Sequence, residues 1–141
     1  MVDLVIAGGG PAGLATALHA TSAGLSVVVR EPRGGIIDKA CGEGVMPDGV
    51  AQLEALGVQP AGEVIRGIRY CAPGRQAQTR FRGPPGLGVR RTELHRALRQ
   101  AVLAAGVPIE QTKVASVAQQ PGGVLVDGTA AGYLVVADGL H

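Results

Sequence analysis

Two short apolar runs with a helical pattern between them occupy the first thirty residues. Residues 4–7 and 25–29 are rich in aliphatic and β-branched side chains, which favours buried strands. Residues 11–23 between them are rich in Ala and Leu, begin with Pro11 and stop before Gly24, as a helix does. The order strand, helix, strand predicts two parallel strands joined by a right-handed crossover.

The pattern changes after Glu31. Residues 32–46 carry four glycines without a period, which is typical of a loop, and a short helix is expected from Pro47 to Gly57. The clearest helical stripe runs from Thr92, as N-cap, to Ala105. Further short strands are expected at Ile68–Cys71, Ala77–Arg82, Val107–Ile109, Val114–Val117, Val124–Val126 and Tyr133–Val136.

Turn residues between the last strands predict their arrangement. Pro121-Gly122-Gly123 and Asp127-Gly128 separate strands too closely spaced for a crossover, which indicates an antiparallel meander. The expected fold class is therefore α/β, with a parallel central sheet, a β-α-β start and an antiparallel meander.

Composition narrows the class of protein. The chain has 141 residues, 46% of them hydrophobic and 17% charged, which predicts one compact domain over residues 1–141 and argues against disorder. No apolar run reaches the ~18 residues of a membrane helix, and no basic leader precedes the first strand, so neither a membrane span nor a signal peptide is expected. Aromatic residues make up only 2%, which argues against a nucleic-acid partner bound by base stacking.

The cysteines and histidines have neither the spacing of a disulfide framework nor that of a metal site. Cys41 and Cys71 stand 30 residues apart, which favours free thiols in a reducing cytoplasm. Three scattered histidines offer no metal-ligand spacing, and the two that fall within helices, His19 and His95, are expected to be partly exposed rather than catalytic. No metal site and no catalytic residue is predicted.

Charge is unevenly distributed although the net charge is only +2. Residues 61–99 hold nine arginines against Glu63 and Glu93. Most of these arginines are expected on an ordinary solvated face. The alternative is a basic stripe that attracts a phosphate-bearing ligand.

The strongest chemical signal is G-x-G-x-x-G at Gly8, Gly10 and Gly13, between the first strand and the first helix. Glycines there allow a tight turn, close approach of backbone to a pyrophosphate, and close packing of the helix on the strand. The helix N-terminus offers free N–H groups to the phosphates. Glu31 follows the second strand, where a carboxylate accepts hydrogen bonds from ribose hydroxyls. This context predicts a dinucleotide site.

Several sequence blocks then resemble the FAD domain of the flavoprotein monooxygenase superfamily, which includes aromatic hydroxylases, flavin halogenases and geranylgeranyl reductases. The blocks are Gly8-Gly9-Gly10-Pro11-Ala12-Gly13 with Glu31, the stretch from Asp38 to Gly44, the R-x-x-L-x-x-x-L of Arg91, Leu94 and Leu98, and Ala137-Asp138-Gly139. The second block looks closest to the geranylgeranyl reductase branch and similar bacterial hydroxylases.

The resemblance implies a role for each candidate residue. Gly8, Gly10, Pro11, Ala12 and Gly13 would bind the FAD pyrophosphate, and Glu31 the adenosine ribose. Arg33 matches the basic residue that often follows the acid, unless it is a solvated loop arginine.

The resemblance also implies contacts farther along the chain. Arg91 would reach the pyrophosphate and ribityl region, and the backbone of Val114 would meet the adenine. Lys39, Cys41 and Gly42 would approach the isoalloxazine, although Cys41 could equally be a small apolar filler. Asp138 would touch the flavin side, or form a simple Asp-Gly turn.

The resemblance also implies a function. The leading expectation is the FAD-binding part of a monooxygenase that uses NAD(P)H and O₂ on a small organic substrate. The alternatives are a geranylgeranyl reductase-type enzyme acting on C=C bonds, and a non-catalytic module completed by self-association or a partner chain. The resemblance implies a Rossmann-like FAD/NAD(P)-binding domain over residues 1–141. Because the family pattern continues beyond the Asp138-Gly139 motif, this domain is expected to be incomplete at its C-terminus and to lack a substrate domain, as the front part of a longer enzyme. An NAD(P)-dependent dehydrogenase is disfavoured by the meander.

Overall fold

The computed structural model describes residues 1–139, which form two compact units. The first unit contains Met1–Ile37 and the chain from His95 onward, and the second contains Asp38–Leu94. The helices are α1 (Pro11–Ser22), α2 (Pro47–Ala55) and α3 (Arg91–Ala104). The strands are β1 (Val2–Ala7), β2 (Val27–Arg30), β3 (Gly44–Val45), β4 (Glu63–Ile65), β5 (Gly67–Ala72), β6 (Arg75–Arg80), β7 (Gly86–Gly88), β8 (Ile109–Glu110), β9 (Val117–Gln120), β10 (Gly123–Val126) and β11 (Thr129–Val136).

A six-stranded sheet forms the centre of the first unit, in the order β8-β2-β1-β11-β10-β9. β8, β2, β1 and β11 are parallel, with Leu4 opposite Val27 on one side and Tyr133 on the other. β11, β10 and β9 are antiparallel. The structure thus confirms the predicted fold class, a Rossmann-like α/β domain with a parallel centre and an antiparallel meander.

β1 is buried on both faces, which explains its uninterrupted apolar sequence. Val5 packs with Val28, Val124 and Val126 in a cluster beneath the meander. Ile6 points the other way, toward Gly13 of α1, and both Val5 and Ile6 are fully buried. Side chains of β1 therefore pack on both faces of the sheet, against the valine cluster on one face and against α1 on the other.

α3 begins one residue earlier than predicted, and Thr92 is not its N-cap. The carbonyl of Arg90 accepts hydrogen bonds from the amides of Glu93 and Leu94, so the helix starts at Arg91. The Arg91 amide donates to the Glu43 carboxylate at 3.2 Å. A side chain distant in sequence therefore supplies the cap that was expected from Thr92.

The second unit contains α2, a three-stranded antiparallel sheet in the order β3-β7-β4, and the hairpin β5–β6. Two strands were predicted here, at Ile68–Cys71 and Ala77–Arg82. They form a hairpin that is exposed along most of its length, with its turn at Pro73 and Gly74. The short strands β3, β4 and β7 were not predicted, because strands of only two or three residues carry no readable alternation.

The strand predicted at Val114–Val117 is wrong, since β9 begins only at Val117. The carboxylate of Asp127 accepts the amides of Ala115 and Ser116 at 3.0 and 2.7 Å, in place of a neighbouring strand. These amides lower the pKa of Asp127 below its usual value, together with the Ser116 hydroxyl and Arg30 and against the effect of burial. Within residues 1–139, no helix is long and apolar enough to cross a membrane.

Arg30 links β2 to the meander from a buried position. Its guanidinium donates to the Val126 carbonyl at 3.0 Å and to the Thr129 hydroxyl at 2.8 Å, and it pairs with Glu110 at 3.0 Å. The Arg30 side chain is only 8% exposed and its bond to the Val126 carbonyl is buried, so water does not readily replace that bond when it is lost.

We expect Arg30→Met to lower the free energy of unfolding by about 2–3 kcal/mol, because it leaves buried acceptors unpaired. Urea denaturation measures the effect, with Arg75→Met on the exposed hairpin as the matched control that leaves the midpoint unchanged. An Arg30→Met protein as stable as the wild type would contradict a stabilising role for the network.

Candidate functional site

The loop between β1 and α1 passes too close to its neighbours for side chains. Gly8 has φ +114°, a region that favours glycine, and a Cβ there would collide with the carbonyl oxygen of Ala137. A Cβ on Gly13 would collide with the carbonyl oxygen of Gly8. The loop therefore makes the tight turn and the close helix packing that its glycines allow.

Gly10 is different, because its own backbone does not require glycine. It is the N-cap of α1 with φ −74° and ψ 176°, extended backbone that any residue adopts, and Pro11 follows in the first helical turn. Within residues 1–139, the amides of Gly10, Ala12 and Gly13 have no hydrogen-bond acceptor. The start of α1 thus presents free donors and the positive end of a helix dipole, a combination that suits an anion.

Glu31 lies beside this loop, directly after β2, and is only 4% exposed. Its Oε2 accepts the Gly9 amide at 2.8 Å, and its Oε1 accepts the Arg33 amide at 3.0 Å and Arg33 Nε at 2.8 Å. Burial alone would raise the pKa of this carboxyl. The hydrogen bonds from Arg33 and Gly9 outweigh burial and hold the pKa below its usual value of 4.5.

Arg33 occupies much of the accepting capacity of Glu31. A carboxylate offers about four lone-pair directions. Three are taken by the bonds just described, and Arg33 Nη2 lies 3.4 Å from Oε2. The Arg33 side chain is 46% exposed and can move away, so a ribose hydroxyl can replace its guanidinium on Glu31. The structure places Arg33 as an ion-pair partner of the acid and not as a freely solvated residue.

A cavity of about 90 Å³ opens between the glycine loop and the residues after β2. Glu31, Arg33 and Arg99 give it charged walls, and Gly9, His95 and Gln111 add further polar groups. Its position beside Glu31 makes it a candidate pocket for the ribose end of a dinucleotide.

His95 is buried, contrary to the expectation of a partly exposed helix residue, whereas His19 is exposed as expected. His95 Nδ1 accepts the Ile37 amide at 3.2 Å, and Nε2 lies 2.9 Å from the Gly9 carbonyl oxygen. The position of His95 in a helical pattern could not predict these contacts, because Ile37 and Gly9 both lie more than fifty residues earlier in the chain.

Asp138 and Val114, two further candidate residues of the first unit, lie in different surroundings. The backbone of Asp138 lies directly against Gly8, so the Asp-Gly motif adjoins the glycine loop. Val114 lies in the loop before β9, and its half-buried side chain packs against the core cluster of Val5 and Val126.

In the second unit, the loop before β3 adjoins the start of α3. Cys41 and Gly42 are exposed, and Cys41 Sγ accepts the Glu43 amide at 3.4 Å, so Cys41 is not an apolar filler. Glu43 in turn accepts the Arg91 amide. Arg91 Nη1 is buried and has no hydrogen-bond partner among the described residues, which leaves a donor that a phosphate oxygen would satisfy.

The sequence reasoning missed three residues that shape these surroundings: Gly9, Glu43 and His95. Gly9 carried a visible signal as the middle glycine of the run, and a Cβ there would lie 2.8 Å from Cβ of Glu31. Among the part of the chain that the structure describes, no cluster of three His, Cys, Asp or Glu side chains could hold a metal ion.

The sequence is similar to that of curated reductases over nearly its whole length. No family model matches the chain. The chain is 37% identical to the menaquinone reductase of Mycolicibacterium smegmatis over 152 aligned positions, which cover 97% of this chain and 37% of that protein. It therefore spans little more than a third of the length of the curated relatives it matches.

Two solved structures illustrate the structural likeness. OxyS anhydrotetracycline hydroxylase from Streptomyces rimosus matches with a TM-score of 0.81 and 28% identity, over 98% of this chain and 32% of that one. A geranylgeranyl bacteriochlorophyll reductase-like protein from Thermoplasma acidophilum matches with a TM-score of 0.77 and 21% identity, over 98% and 39%. The resemblance to the FAD domain of flavin-dependent monooxygenases and geranylgeranyl reductase-like proteins is thus confirmed.

We expect Gly9→Ala to destabilise the protein by about 1–3 kcal/mol, because the new methyl group displaces the Glu31 side chain. Gly83→Ala is the matched control, since a Cβ at Gly83 meets nothing within 4 Å. Thermal unfolding of both variants measures the difference. Equal melting temperatures would show that the contact at Gly9 is not restrictive.

The lowered pKa of Glu31 predicts a pH dependence of stability. The ionised carboxylate contributes stability above pH about 4.5, and this contribution is lost as the pH falls through the lower pKa of the folded state. We therefore expect Glu31→Gln to be less stable than the wild type at pH 7, with a difference that shrinks below pH about 4.5. Comparing the two proteins at each pH cancels the titration of Asp3 and Asp127, whose pKa values are also lowered. A pH-independent difference would contradict the assignment.

Proposed function

We propose that this chain is the FAD-binding portion of a FAD-dependent oxidoreductase. The observation that carries the proposal is the start of α1, where the free amides of Gly10, Ala12 and Gly13 lie next to a glycine loop and the buried carboxylate of Glu31. Free donors suit a pyrophosphate, and the carboxylate suits ribose hydroxyls.

The residues present fit the cofactor. Gly8, Gly10, Pro11, Ala12 and Gly13 would hold the pyrophosphate, and Glu31 would bind the ribose once Arg33 has moved aside. Arg91 Nη1, which has no hydrogen-bond partner within residues 1–139, is proposed on the family resemblance to donate to an anionic oxygen of the cofactor. Val114, by its backbone, and Cys41, Gly42 and Asp138 are proposed as further cofactor contacts on the family resemblance alone. When bound, FAD supplies two-electron redox chemistry that the protein side chains cannot.

For the reaction class, a reductase is the first candidate. It is supported by the 37% identity to a menaquinone reductase, which exceeds the 28% identity to the anhydrotetracycline hydroxylase. A monooxygenase that uses O₂ on a small organic substrate is the second candidate and is supported by that hydroxylase. In either case we propose NAD(P)H as the reductant.

A binding module without catalysis of its own is the third candidate. The chain covers little more than a third of its curated relatives, so a partner chain or self-association would complete a substrate site. A cytoplasmic location is part of the proposal, because Cys41 and Cys71 are exposed free thiols that suit a reducing compartment.

The test exploits the ordinary backbone of Gly10. We expect the purified wild-type chain to retain FAD through gel filtration and to show the absorption bands of a bound flavin. Gly10→Val, at a φ of −74° that valine adopts without backbone strain, should weaken FAD binding about 100-fold or more by blocking the approach to the helix amides, and its melting temperature is measured alongside to show that it folds. Gly83→Val, the same substitution at an exposed loop position, should bind FAD normally.

A folded wild-type chain that binds neither FAD nor ADP would overturn the proposal for this chain. Gly10→Val with unchanged affinity would move the pyrophosphate site elsewhere. If FAD binds, anaerobic addition of NADPH separates the candidates: bleaching of the flavin bands supports an oxidoreductase, whereas binding without reduction supports the module.

A further inference from the structure

The imidazole of His95 joins two segments that flank the cavity. It is 1% exposed, its Nδ1 lies 3.2 Å from the amide nitrogen of Ile37, and its Nε2 lies 2.9 Å from the carbonyl oxygen of Gly9. Ile37 follows the loop after β2, and Gly9 belongs to the loop between β1 and α1. One side chain of α3 therefore contacts both loops.

The two contacts define one protonation state of the ring. An amide N–H only donates, so Nδ1 must carry a lone pair to accept it from Ile37. A carbonyl oxygen only accepts, so Nε2 must carry the hydrogen that is donated to Gly9. A neutral imidazole with its hydrogen on Nε2 satisfies both contacts, whereas the other tautomer and the imidazolium each oppose two donors at Nδ1.

This geometry holds two successive peptide units, Gly8–Gly9 through its N–H and Gly9–Gly10 through its carbonyl. The Gly9 amide donates to Oε2 of Glu31 at 2.8 Å, and its carbonyl accepts from His95. Both polar groups of Gly9 are therefore held by buried side chains, one at the end of β2 and the other on α3. Gly10, whose amide has no acceptor within residues 1–139, follows immediately as the N-cap of α1.

We propose that His95 is a positioning residue for cofactor binding: as a neutral, Nε2-protonated imidazole it orients the Gly9–Gly10 peptide so that the amides at the start of α1 face the pyrophosphate. The inference rests on the proposed FAD site. It assigns to His95 no contact with the cofactor and no part in the redox chemistry.

Amide side chains separate the two bonds of His95. The Gln amide nitrogen can reach the place of Nε2 and donate to Gly9, whereas the Asn amide oxygen can reach the place of Nδ1 and accept from Ile37. His95→Leu retains neither bond at similar volume. We expect His95→Gln to bind FAD within about threefold of the wild type, and His95→Asn and His95→Leu to bind at least about tenfold more weakly.

A purely structural role would give another pattern, in which FAD affinity follows the melting temperatures of the variants whichever bond is retained. That pattern, or wild-type affinity in His95→Leu, would overturn the proposal. If His95→Leu does not fold, the comparison of His95→Gln with His95→Asn still decides, and equal affinity of these two would also overturn it.

Two measurements on the ligand-free protein separate failure of this inference from failure of the proposed function. Long-range ¹H–¹⁵N NMR spectra should show the Nε2–H tautomer of His95 at pH 7. The Ile37 amide should exchange slowly in the wild type and His95→Asn, and faster in His95→Gln and His95→Leu. If both hold but no variant binds FAD, the His95 contacts stand and the FAD proposal fails, and with it the positioning role. An Nδ1–H tautomer would overturn the inference directly.

Discussion

One crowded point determines how the first unit is built. The loop after β1 passes against the end of β11 at Gly8 and against Glu31 at Gly9, and at neither position is there room for a side chain. Because the backbone comes this close, the carboxyl ends of β1, β2 and β11 converge where α1 begins. Ligands of open α/β sheets bind at this edge of the strands. The candidate site therefore depends on the absence of side chains at Gly8 and Gly9.

Most polar groups beneath this point are already bonded within the protein. Arg30 is bound by Glu110, Val126 and Thr129, and Glu31 is bound by Arg33 and the Gly9 amide. Within residues 1–139, the first amides of α1 have no hydrogen-bond acceptor. Donors of this kind at a helix start suit a ligand rich in negatively charged oxygen.

Local patterns predicted the elements whose sequence is periodic or clearly bounded. The β-α-β start, α3, the hairpin and the meander all have apolar runs or stripes that end at glycine or proline. Long-range side-chain contacts produced the errors. Glu43 caps α3 in place of Thr92, Asp127 takes the amides of the strand expected at Val114–Val117, and His95 is buried by Gly9 and Ile37. The glycine loop and Glu31 were readable because their spacing is itself the signal, whereas His95 depends on contacts across the fold.

The end of β2 has a consequence for how this protein can change over evolution. Arg30 and Glu31 are consecutive, so their side chains leave the strand on opposite faces, one toward the meander and the other toward the glycine loop. An inserted or deleted residue just before this pair would exchange the two faces and bury each charge against the wrong partners. Sequence length is therefore constrained through β2. Past Arg33 the chain leaves the sheet through the exposed Gly34 and Gly35, where a change of length does not alter the register of β2.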